Sequence, residues 1–365
     1  MVLRKNETSQ HQTTKIKKEL NKKNVCENYL FQAYKKTMKK DEIMTKALRY
    51  LSGIQPSGDL HIGNYFGAIR QHIKNQENAF YFIANYHALT TLKDPDALRK
   101  NTFEAAITYL SLGLDPNKAT IFRQSDIPEV TELTWLLLTV TGMGLLERGV
   151  SFKEKKDKGI TPTAGLFTYP VLMAADILIY DSDIVPVGSD QVQHLEMTRD
   201  IAKYFNNTYN TEVFKLPKYE LGVPTPVVGI DGQKMSKSYG NTIPIFQIGK
   251  KLKSLVMSIK TDSTPLEDPK DHTKCNVFEL YSLFANETQK AEMIDKYAGG
   301  NYGYGHAKKE LLNLIKEHFA EAHEKRNAFL KDPDYVEDIL QQGAKKAKEV
   351  ARKILDRARF ASGIA

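Results

Sequence analysis

Short apolar runs alternate along the chain with segments in which apolar residues recur every three or four positions. Continuous apolar runs are typical of buried parallel strands, and the longer spacing is typical of helices with one buried face. The expected strands are residues 48–54, 79–84, 119–122, 184–187 and 225–230. The expected helices are residues 62–73, 96–112, 130–148, 192–205, 276–285, 306–330 and 336–361. The alternation of strands and helices predicts a doubly wound α/β sheet of parallel strands.

Residues 1–43 differ from the rest of the chain. They are rich in lysine and amide residues and lack a clear apolar period, which is typical of a disordered or weakly helical tail. The tail either adds nonspecific affinity for RNA or precedes the true start of translation at Met38 or Met44. We favour the second interpretation, because the regular pattern begins right after Met44.

The remaining sequence divides into two parts by its pattern. Residues 44–242 are expected to form the α/β domain, with a helical insertion at about 128–160. Residues 243–365 are lysine-rich and helical in pattern, and their last helix is expected to pack back on the α/β domain. The leucines at 136–138 and 145–146 fit either an interface between two copies or an ordinary core helix equally well.

Composition excludes several classes of protein. Of the 365 residues, 41% are hydrophobic and 26% charged, which predicts a packed soluble core. No apolar run is long enough to span a membrane, and no secretory signal begins the chain. Cys26 and Cys275 lie far apart without metal-ligand spacing, which fits a reducing cytoplasm. The net charge of +8 is compatible with RNA as a partner, although many soluble enzymes are equally basic.

The first candidate site is the segment SGIQPSGDLHIGN at residues 52–64, between the first expected strand and helix. Open α/β sheets bind ligands at this place, and a helix N-terminus offers free backbone N–H groups to phosphate. Gly63 allows close approach of a flat base, and His61 and Asn64 can donate hydrogen bonds to phosphate oxygens. An ordinary glycine-rich turn is the competing interpretation.

The second candidate site is the segment KMSKS at residues 234–238, after the last expected strand. Its lysines, Lys234 and Lys237, are mobile point charges suited to phosphates, and its serines add neutral donors. A solvated basic loop would have the same composition. A chance match to this pentapeptide, downstream of the first segment, is rare.

Together the two segments resemble the signatures of the class I aminoacyl-tRNA synthetases. Residues 61–64 resemble the HIGH signature and residues 234–238 match the KMSKS signature. Asn64 replaces the second histidine of the general signature, a change typical of the tryptophan enzymes, and residues 52–58 also resemble that branch. The resemblance covers residues 48–360. It implies a Rossmann-like class I core with an α-helical C-terminal domain.

The resemblance also implies an activity. ATP would activate the carboxylate of L-tryptophan, and the tryptophanyl group would pass to tRNA(Trp), with Mg²⁺ accompanying ATP and pyrophosphate. It implies a cytoplasmic homodimer without a membrane anchor, with part of the interface formed by the helices around residues 135–156. The basic C-terminal helices would meet the tRNA. Lysines 308, 309, 345 and 346 are candidate phosphate contacts, although such lysines often form a solvated surface.

The same resemblance assigns the nucleotide site. The catalytic residues would be His61, Asn64, Lys234 and Lys237. Asp190 would hold the ribose hydroxyls, Val227 would line the adenine pocket, and no resident metal is expected. The residues assigned to ATP are Gln55, Pro56, Ser57, Gly63, Asn64, Gly188, Ser189, Asp190, Val227, Lys234, Met235, Ser236, Lys237 and Ser238.

The choice of amino acid depends on the segment YPVLMAAD at residues 169–176. Met173 and Asp176 share one helical face, and a buried carboxylate can accept a hydrogen bond from an indole N–H, which only donates. Asp176 lies between apolar residues, which argues against a helix cap or a surface carboxylate. The residues that the resemblance assigns to tryptophan are Gly53, Gln55, His87, Tyr169, Met173, Asp176, Val185, Val187 and Gln191.

Three alternatives remain open at this point. A tyrosine–tRNA ligase shares the fold and both signatures, but it typically has a glutamine where this chain has Ala174. A non-catalytic paralogue that binds RNA or nucleotide is disfavoured because the signature residues are intact. A nucleotidyltransferase of the same fold would not need the amino-acid pocket. Asn85 stands where the family usually has aspartate, and its effect is unknown.

Overall fold

Five parallel strands form the sheet in the part of the chain that the structure, a computed structural model, describes: residues 48–149, 163–188, 191–221 and 226–365. They are β1 (Leu51–Ile54), β2 (Phe80–Ile83), β3 (Thr120–Arg123), β4 (Ile184–Val187) and β5 (Lys218–Leu221). Leu51 pairs with Phe80, and Phe80 in turn pairs with Thr120, so β2 lies between β1 and β3. On the other side, Ile184 pairs with Lys218.

A parallel bridge between Tyr50 and Ile184 joins the two sets of strands. The amides of Asp183 and Ile184 donate to the carbonyl oxygen of Arg49 at 2.9 and 3.1 Å. The strand order is therefore β3-β2-β1-β4-β5, the doubly wound order, which confirms the predicted fold class. Its topological switch point lies between β1 and β4, where such sheets bind ligands.

The helices connect and follow these strands. The first, α1, runs without a break through Ile62–Asn64, a π turn at Tyr65–Ile69, and Arg70–Lys74. The others are α2 (Asn85–Ala88), α3 (Pro95–Ser111), α4 (Glu129–Leu138), α5 (Met143–Leu146), α6 (Ala164–Leu178), α7 (Val192–Thr208), α8 (Gly249–Met257), α9 (Asn276–Phe284), α10 (Glu287–Ala298), α11 (Tyr304–His318), α12 (Ala320–Lys331) and α13 (Pro333–Ser362). None of the helices described is long and apolar enough to cross a bilayer.

Several elements differ from the sequence-based expectation, among them the helix expected at 306–330, which is two helices, α11 and α12. The strand expected at 225–230 is absent from the described residues 226–230, which contribute only an isolated bridge between Val228 and Lys234. Instead β5 lies earlier, and the pattern missed it because this edge strand is largely exposed and has no apolar run. The helix expected at 130–148 is two helices, α4 and α5, interrupted at 139–142.

The C-terminal helices share a core with the sheet. One hydrophobic cluster joins Ile54 and Ile83 to Leu311 and Leu340, so the packing does not break at residue 242. The last helix, α13, lies directly on β3: a Cβ atom added to Gly343 would lie 1.9 Å from the carbonyl oxygen of Ile121. Residues 1–47 and the end of the expected insertion, 150–160, lie outside the described residues.

Arg123 connects β3 to α13 by charge. Its two terminal nitrogens donate to the carboxylate oxygens of Glu337 at 2.8 and 2.6 Å, and its Nε donates to Asp126 at 2.8 Å. Bidentate pairs of this kind fix geometry as well as adding energy. The helix α13 is therefore held on the edge strand β3 by the close backbone contact at Gly343 and by the ion pair between Arg123 and Glu337.

Candidate functional site

The loops that follow β1 and β4 meet at the switch point of the sheet. After β1, Gln55 and Ser57 are exposed and Pro56 is buried. After β4, Gly188 is exposed, whereas Ser189 and Asp190 of the predicted site lie outside the described residues. Gly53 within β1 packs closely on Phe82, because a Cβ atom there would lie 2.7 Å from the ring and would require the ring to shift.

His61 stands immediately before α1 and is 6% exposed. Its backbone N–H donates to Oδ1 of Asn64 at 3.1 Å, so the two predicted catalytic residues are joined across the first turn. The Nδ1 atom of His61 is buried without a hydrogen-bond partner. Burial, and secondarily the charge of Lys237, lowers the pKa of His61 to about 4. The imidazole is therefore neutral near pH 7 and can donate without carrying charge.

The lysine loop packs against the start of α1. Met235 is 5% exposed, and its Sδ atom accepts a hydrogen bond from the amide of Gly63 at 3.3 Å. A Cβ atom on Gly63 would lie 2.9 Å from Nδ1 of His61 and 3.3 Å from Cβ of Met235. The absence of a side chain at residue 63 thus lets the two signature segments touch.

Lys237 bridges the lysine loop and the loop after β1. Its Nζ atom donates to the carbonyl oxygen of Ser57 at 3.1 Å, to the hydroxyl of Ser57 at 3.2 Å and to the carbonyl oxygen of Gly58 at 3.1 Å. Burial lowers the pKa of Lys237, partly offset by the charge of Asp59. Lys234 is exposed, as is Ser238. Ser236 accepts a hydrogen bond from the amide of Ser238 at 3.3 Å.

Asn241 is a loop residue that the sequence analysis missed. It is 2% exposed, its Oδ1 accepts from the amide of Ser236 at 2.7 Å, and its Nδ2 donates to the carbonyl oxygen of Lys234 at 3.1 Å. The same Nδ2 donates to Asp231 at 2.8 Å. One buried amide therefore fixes the backbone of the lysine loop. The glycine before it has a left-handed φ of 64°, which marks the turn but not the role of the asparagine.

Asp176 is buried on α6 and is 1% exposed. His87 Nε2 lies 2.7 Å from Oδ2, and the Nε2 amide of Gln124 donates to Oδ1 and Oδ2 at 2.9 and 2.8 Å. Burial raises the pKa of Asp176, whereas these hydrogen bonds act in the opposite direction. The residue is therefore neither a helix cap nor a surface carboxylate, and Gln124 is a partner that the sequence analysis did not name.

The other residues assigned to tryptophan lie on α2, α6 and β4, on or just after β1, and just before α7. Tyr169 forms a short hydrogen bond with His194, and its ring meets that of His87 edge-on at 6.4 Å between centroids. The remaining members are Met173, which is partly buried against a core cluster, Val185 and Val187, which are buried on β4, and Gln191, which is partly exposed before α7.

Val227 is placed differently from the other nucleotide residues. It lines a groove of about 770 Å³, together with Phe66 and Arg70 of α1 and Phe278 of α9. Its backbone nevertheless contacts the lysine loop, because its carbonyl oxygen accepts from the amide of Met235 at 2.8 Å.

Within the described residues, no group of three or more His, Cys, Asp or Glu side chains is arranged to hold a metal ion.

Comparison with known proteins gives consistent relatives. The family model described as tRNA synthetases class I (W and Y) matches residues 43–320. The chain is 57% identical over 319 residues to the tryptophan–tRNA ligase of Fusobacterium nucleatum, covering 87% of this chain and 98% of that one. It is 58% identical over 320 residues to the tryptophan–tRNA ligase of Rhodopirellula baltica, covering 87% and 100%.

Solved structures agree with the sequence relatives. The crystal structure of tryptophanyl-tRNA synthetase from Campylobacter jejuni in complex with ADP and tryptophan has a TM-score of 0.83 and 50% identity, and the match covers 87% of this chain and 100% of that chain. The enzyme of that name from Mycoplasma pneumoniae has a TM-score of 0.74 at 30% identity, covering 88% and 99%.

Proposed function

The chain belongs to the class I tRNA synthetases described for tryptophan and tyrosine, and we propose that it joins L-tryptophan to tRNA(Trp) at the expense of ATP. The observation that carries the choice of tryptophan is the buried carboxylate of Asp176, held between His87 and Gln124. A donor-only group such as the indole N–H needs an acceptor of this kind. The relatives named as tryptophan–tRNA ligases support the same choice.

In the first step the tryptophan carboxylate attacks the α-phosphorus of ATP, forming tryptophanyl-AMP and releasing pyrophosphate. ATP lies at the switch point of the sheet, against the loop after β1 and the start of α1. Neutral His61 and Asn64 donate hydrogen bonds to phosphate oxygens as negative charge develops there. Lys237 exchanges its present acceptors on Ser57 and Gly58 for the leaving pyrophosphate, and exposed Lys234 adds a second charge.

In the second step a terminal ribose hydroxyl of the tRNA attacks the carbonyl carbon of the adenylate, and AMP leaves. No protein nucleophile takes part, so the chain contributes positioning and charge stabilisation. Mg²⁺ arrives with ATP, since this ion is usually bound through substrate phosphates and a few carboxylates. The basic excess of the chain, +8, supports an RNA partner.

We also propose that the chain forms a cytoplasmic homodimer. Of the leucines considered for its surface, Leu136, Leu137, Leu145 and Leu146 are buried in the core, and Leu138 is partly buried against it. Trp135 on α4 and Met143 on α5 are 66% and 63% exposed. Large exposed apolar side chains on successive helices favour an interface there.

Amino-acid-dependent ATP–pyrophosphate exchange, run with tryptophan and with tyrosine in the presence of Mg²⁺, tests the proposal. Exchange with tryptophan alone is the expected result. Exchange with tyrosine would keep the mechanism but overturn the role given to Asp176. A folded protein that exchanges with neither would be a non-catalytic relative that binds RNA or nucleotide.

A further inference from the structure

Gln124 is the first residue of the turn that follows β3, and it is 1% exposed. Its Oε1 accepts the backbone N–H of Tyr86 at 3.0 Å, and its Nε2 donates to both oxygens of Asp176 at 2.9 and 2.8 Å. A backbone N–H can only donate, so the amide oxygen must face Tyr86. The NH₂ group must therefore face Asp176, and the orientation of the amide is fixed.

A second pair of hydrogen bonds holds this arrangement in register. Asn85 Nδ2 lies 2.7 Å from the hydroxyl of Ser125, and the amide of Ser125 donates to Asn85 Oδ1 at 3.0 Å. Asn85 and Ser125 are the neighbours of Tyr86 and Gln124 in the chain. The loops that end β2 and β3 are thus joined twice, which places Gln124 and His87 on the same carboxylate.

The distribution of donors over the two oxygens of Asp176 is unequal. Oδ2 receives His87 and one contact from Gln124, whereas Oδ1 receives only the second contact from Gln124. A carboxylate oxygen accepts about two hydrogen bonds. Oδ1 can therefore accept one further hydrogen bond. Because the amide of Gln124 holds the carboxylate, it also fixes the direction from which this further donor must approach.

We propose that Gln124 is a positioning residue for amino-acid selection, which holds the Asp176 carboxylate so that Oδ1 accepts the indole N–H of the substrate. This inference rests on the proposed function, since it assumes tryptophan as the substrate. Gln124 acts through Asp176 and need not touch the substrate itself. A role in packing alone would weaken all amino-acid substrates equally, whereas a role through Asp176 affects the substrate that carries the N–H group.

The test compares tryptophan with β-(benzothiophen-3-yl)alanine, in which sulfur replaces the indole N–H, as substrates for pyrophosphate exchange. The variants are Gln124→Met, which removes both amide groups at similar volume, and Gln124→Leu, which removes both with a shorter, branched side chain. Gln342→Met, at an exposed position of α13, is the control. Thermal unfolding of each variant establishes that it is folded.

We expect the wild-type protein to prefer tryptophan to the analogue. In both variants this preference, measured as the ratio of the two kcat/KM values, should fall by at least about tenfold, which corresponds to the loss of one hydrogen bond to a charged group. The loss should appear as a raised KM for tryptophan, with kcat and the analogue's kcat/KM nearly unchanged. If the variants lost kcat/KM equally for both amino acids, or if their preference for tryptophan were unchanged, the inference would be wrong. The proposed function would still stand as long as the wild-type protein exchanges with tryptophan. A folded wild type without tryptophan exchange would overturn both.

Discussion

The Nζ atom of Lys237 lies 3.1 Å from the carbonyl oxygen of Gly58, although the two residues are far apart in the chain. The lysine loop thus docks on the loop after β1 through neutral carbonyl acceptors. Phosphate oxygens carry negative charge and attract an ammonium group more strongly than carbonyls do. The oxygen atoms of the loop after β1 therefore hold the ammonium group of Lys237 in place until the phosphate oxygens of a nucleotide replace them.

Replacing Lys237 with alanine should reduce activation much more than it reduces amino-acid binding. The ammonium group is proposed to meet charge that develops only as pyrophosphate leaves. Loss of one such group costs about 10²- to 10³-fold in rate. Single-turnover formation of the adenylate and equilibrium binding of tryptophan measure the two effects separately.

Lys250→Ala is the control for this change, because Lys250 is an exposed lysine on α8. It should leave both quantities near their wild-type values. If Lys237→Ala weakened tryptophan binding as much as it slowed adenylate formation, the lysine would contribute to general binding and a transition-state role would be wrong.

Asn241→Ala should slow activation although this residue need not meet ATP. Its amide holds the backbone at Lys234 and Ser236, so its removal leaves buried groups unpaired and frees the lysine loop. We expect a fall of about tenfold or more in kcat, with tryptophan binding unchanged. Asn207→Ala, at an exposed position of α7, is the matched control. Wild-type kcat in folded Asn241→Ala would contradict the role.

The local motifs could be recognised from sequence because their chemistry is contained in a few adjacent residues. His61 and Lys237 are such residues, and the structure brings their segments together. Gln124 and Asn241 gave no such signal, since their importance lies in contacts with Asp176, 52 positions away, and with a loop backbone. A buried amide and a solvated amide look alike in a sequence.

The same distinction applies to the fold. Buried strands such as β2 consist of apolar residues throughout, so their pattern identifies them. The edge strand β5 exposes most of its residues, and its position depends on pairing with β4. Which distant segments pair with each other depends on the tertiary fold, and the spacing of apolar residues along the chain does not reveal it.

Gly343→Ala should destabilise the protein by separating α13 from β3. The added Cβ would lie 1.9 Å from a backbone oxygen, which cannot rotate away as a side chain can. Overpacking of this kind costs about 1 to 3 kcal/mol in the free energy of unfolding. Gly305→Ala, in the first turn of α11, is the control, because a Cβ there meets nothing within 4 Å, and it should leave the free energy of unfolding nearly unchanged. Chemical denaturation measures both, and equal stabilities would contradict the contact.

His72 should make folding sensitive to acid. Its ring is buried, contacts the hydroxyl of Tyr109 at 3.0 Å, and burial lowers its pKa from 6.5 to about 4. Between pH 6.5 and 4 the unfolded chain binds a proton that the folded chain does not, so the free energy of unfolding falls as pH falls through this window. From pH 7 to 5 the loss from this residue is about 2 kcal/mol.

The variant His72→Phe removes this titration and keeps an aromatic ring. It also leaves the hydroxyl of Tyr109 without this partner, a cost that is nearly the same at both pH values and cancels in the comparison. Denaturation at pH 7 and at pH 5 should therefore show a smaller acid loss in the variant, by about 2 kcal/mol. An identical loss in both proteins would show that His72 takes up its proton in the folded state as readily as in the unfolded one.

Trp135 provides a direct test of the proposed homodimer, because it is the single tryptophan of the chain and is 66% exposed in the protomer. If α4 forms the interface, dilution below the dissociation constant should shift its fluorescence emission to longer wavelength as the indole becomes solvated. Trp135→Glu should weaken the dimer by about 2 kcal/mol or more, as expected for a central aromatic residue. Sedimentation velocity measures this. Phe360→Glu, at a 76% exposed position of α13, should leave association unchanged. A dimer that persists in Trp135→Glu would place the interface elsewhere on the chain.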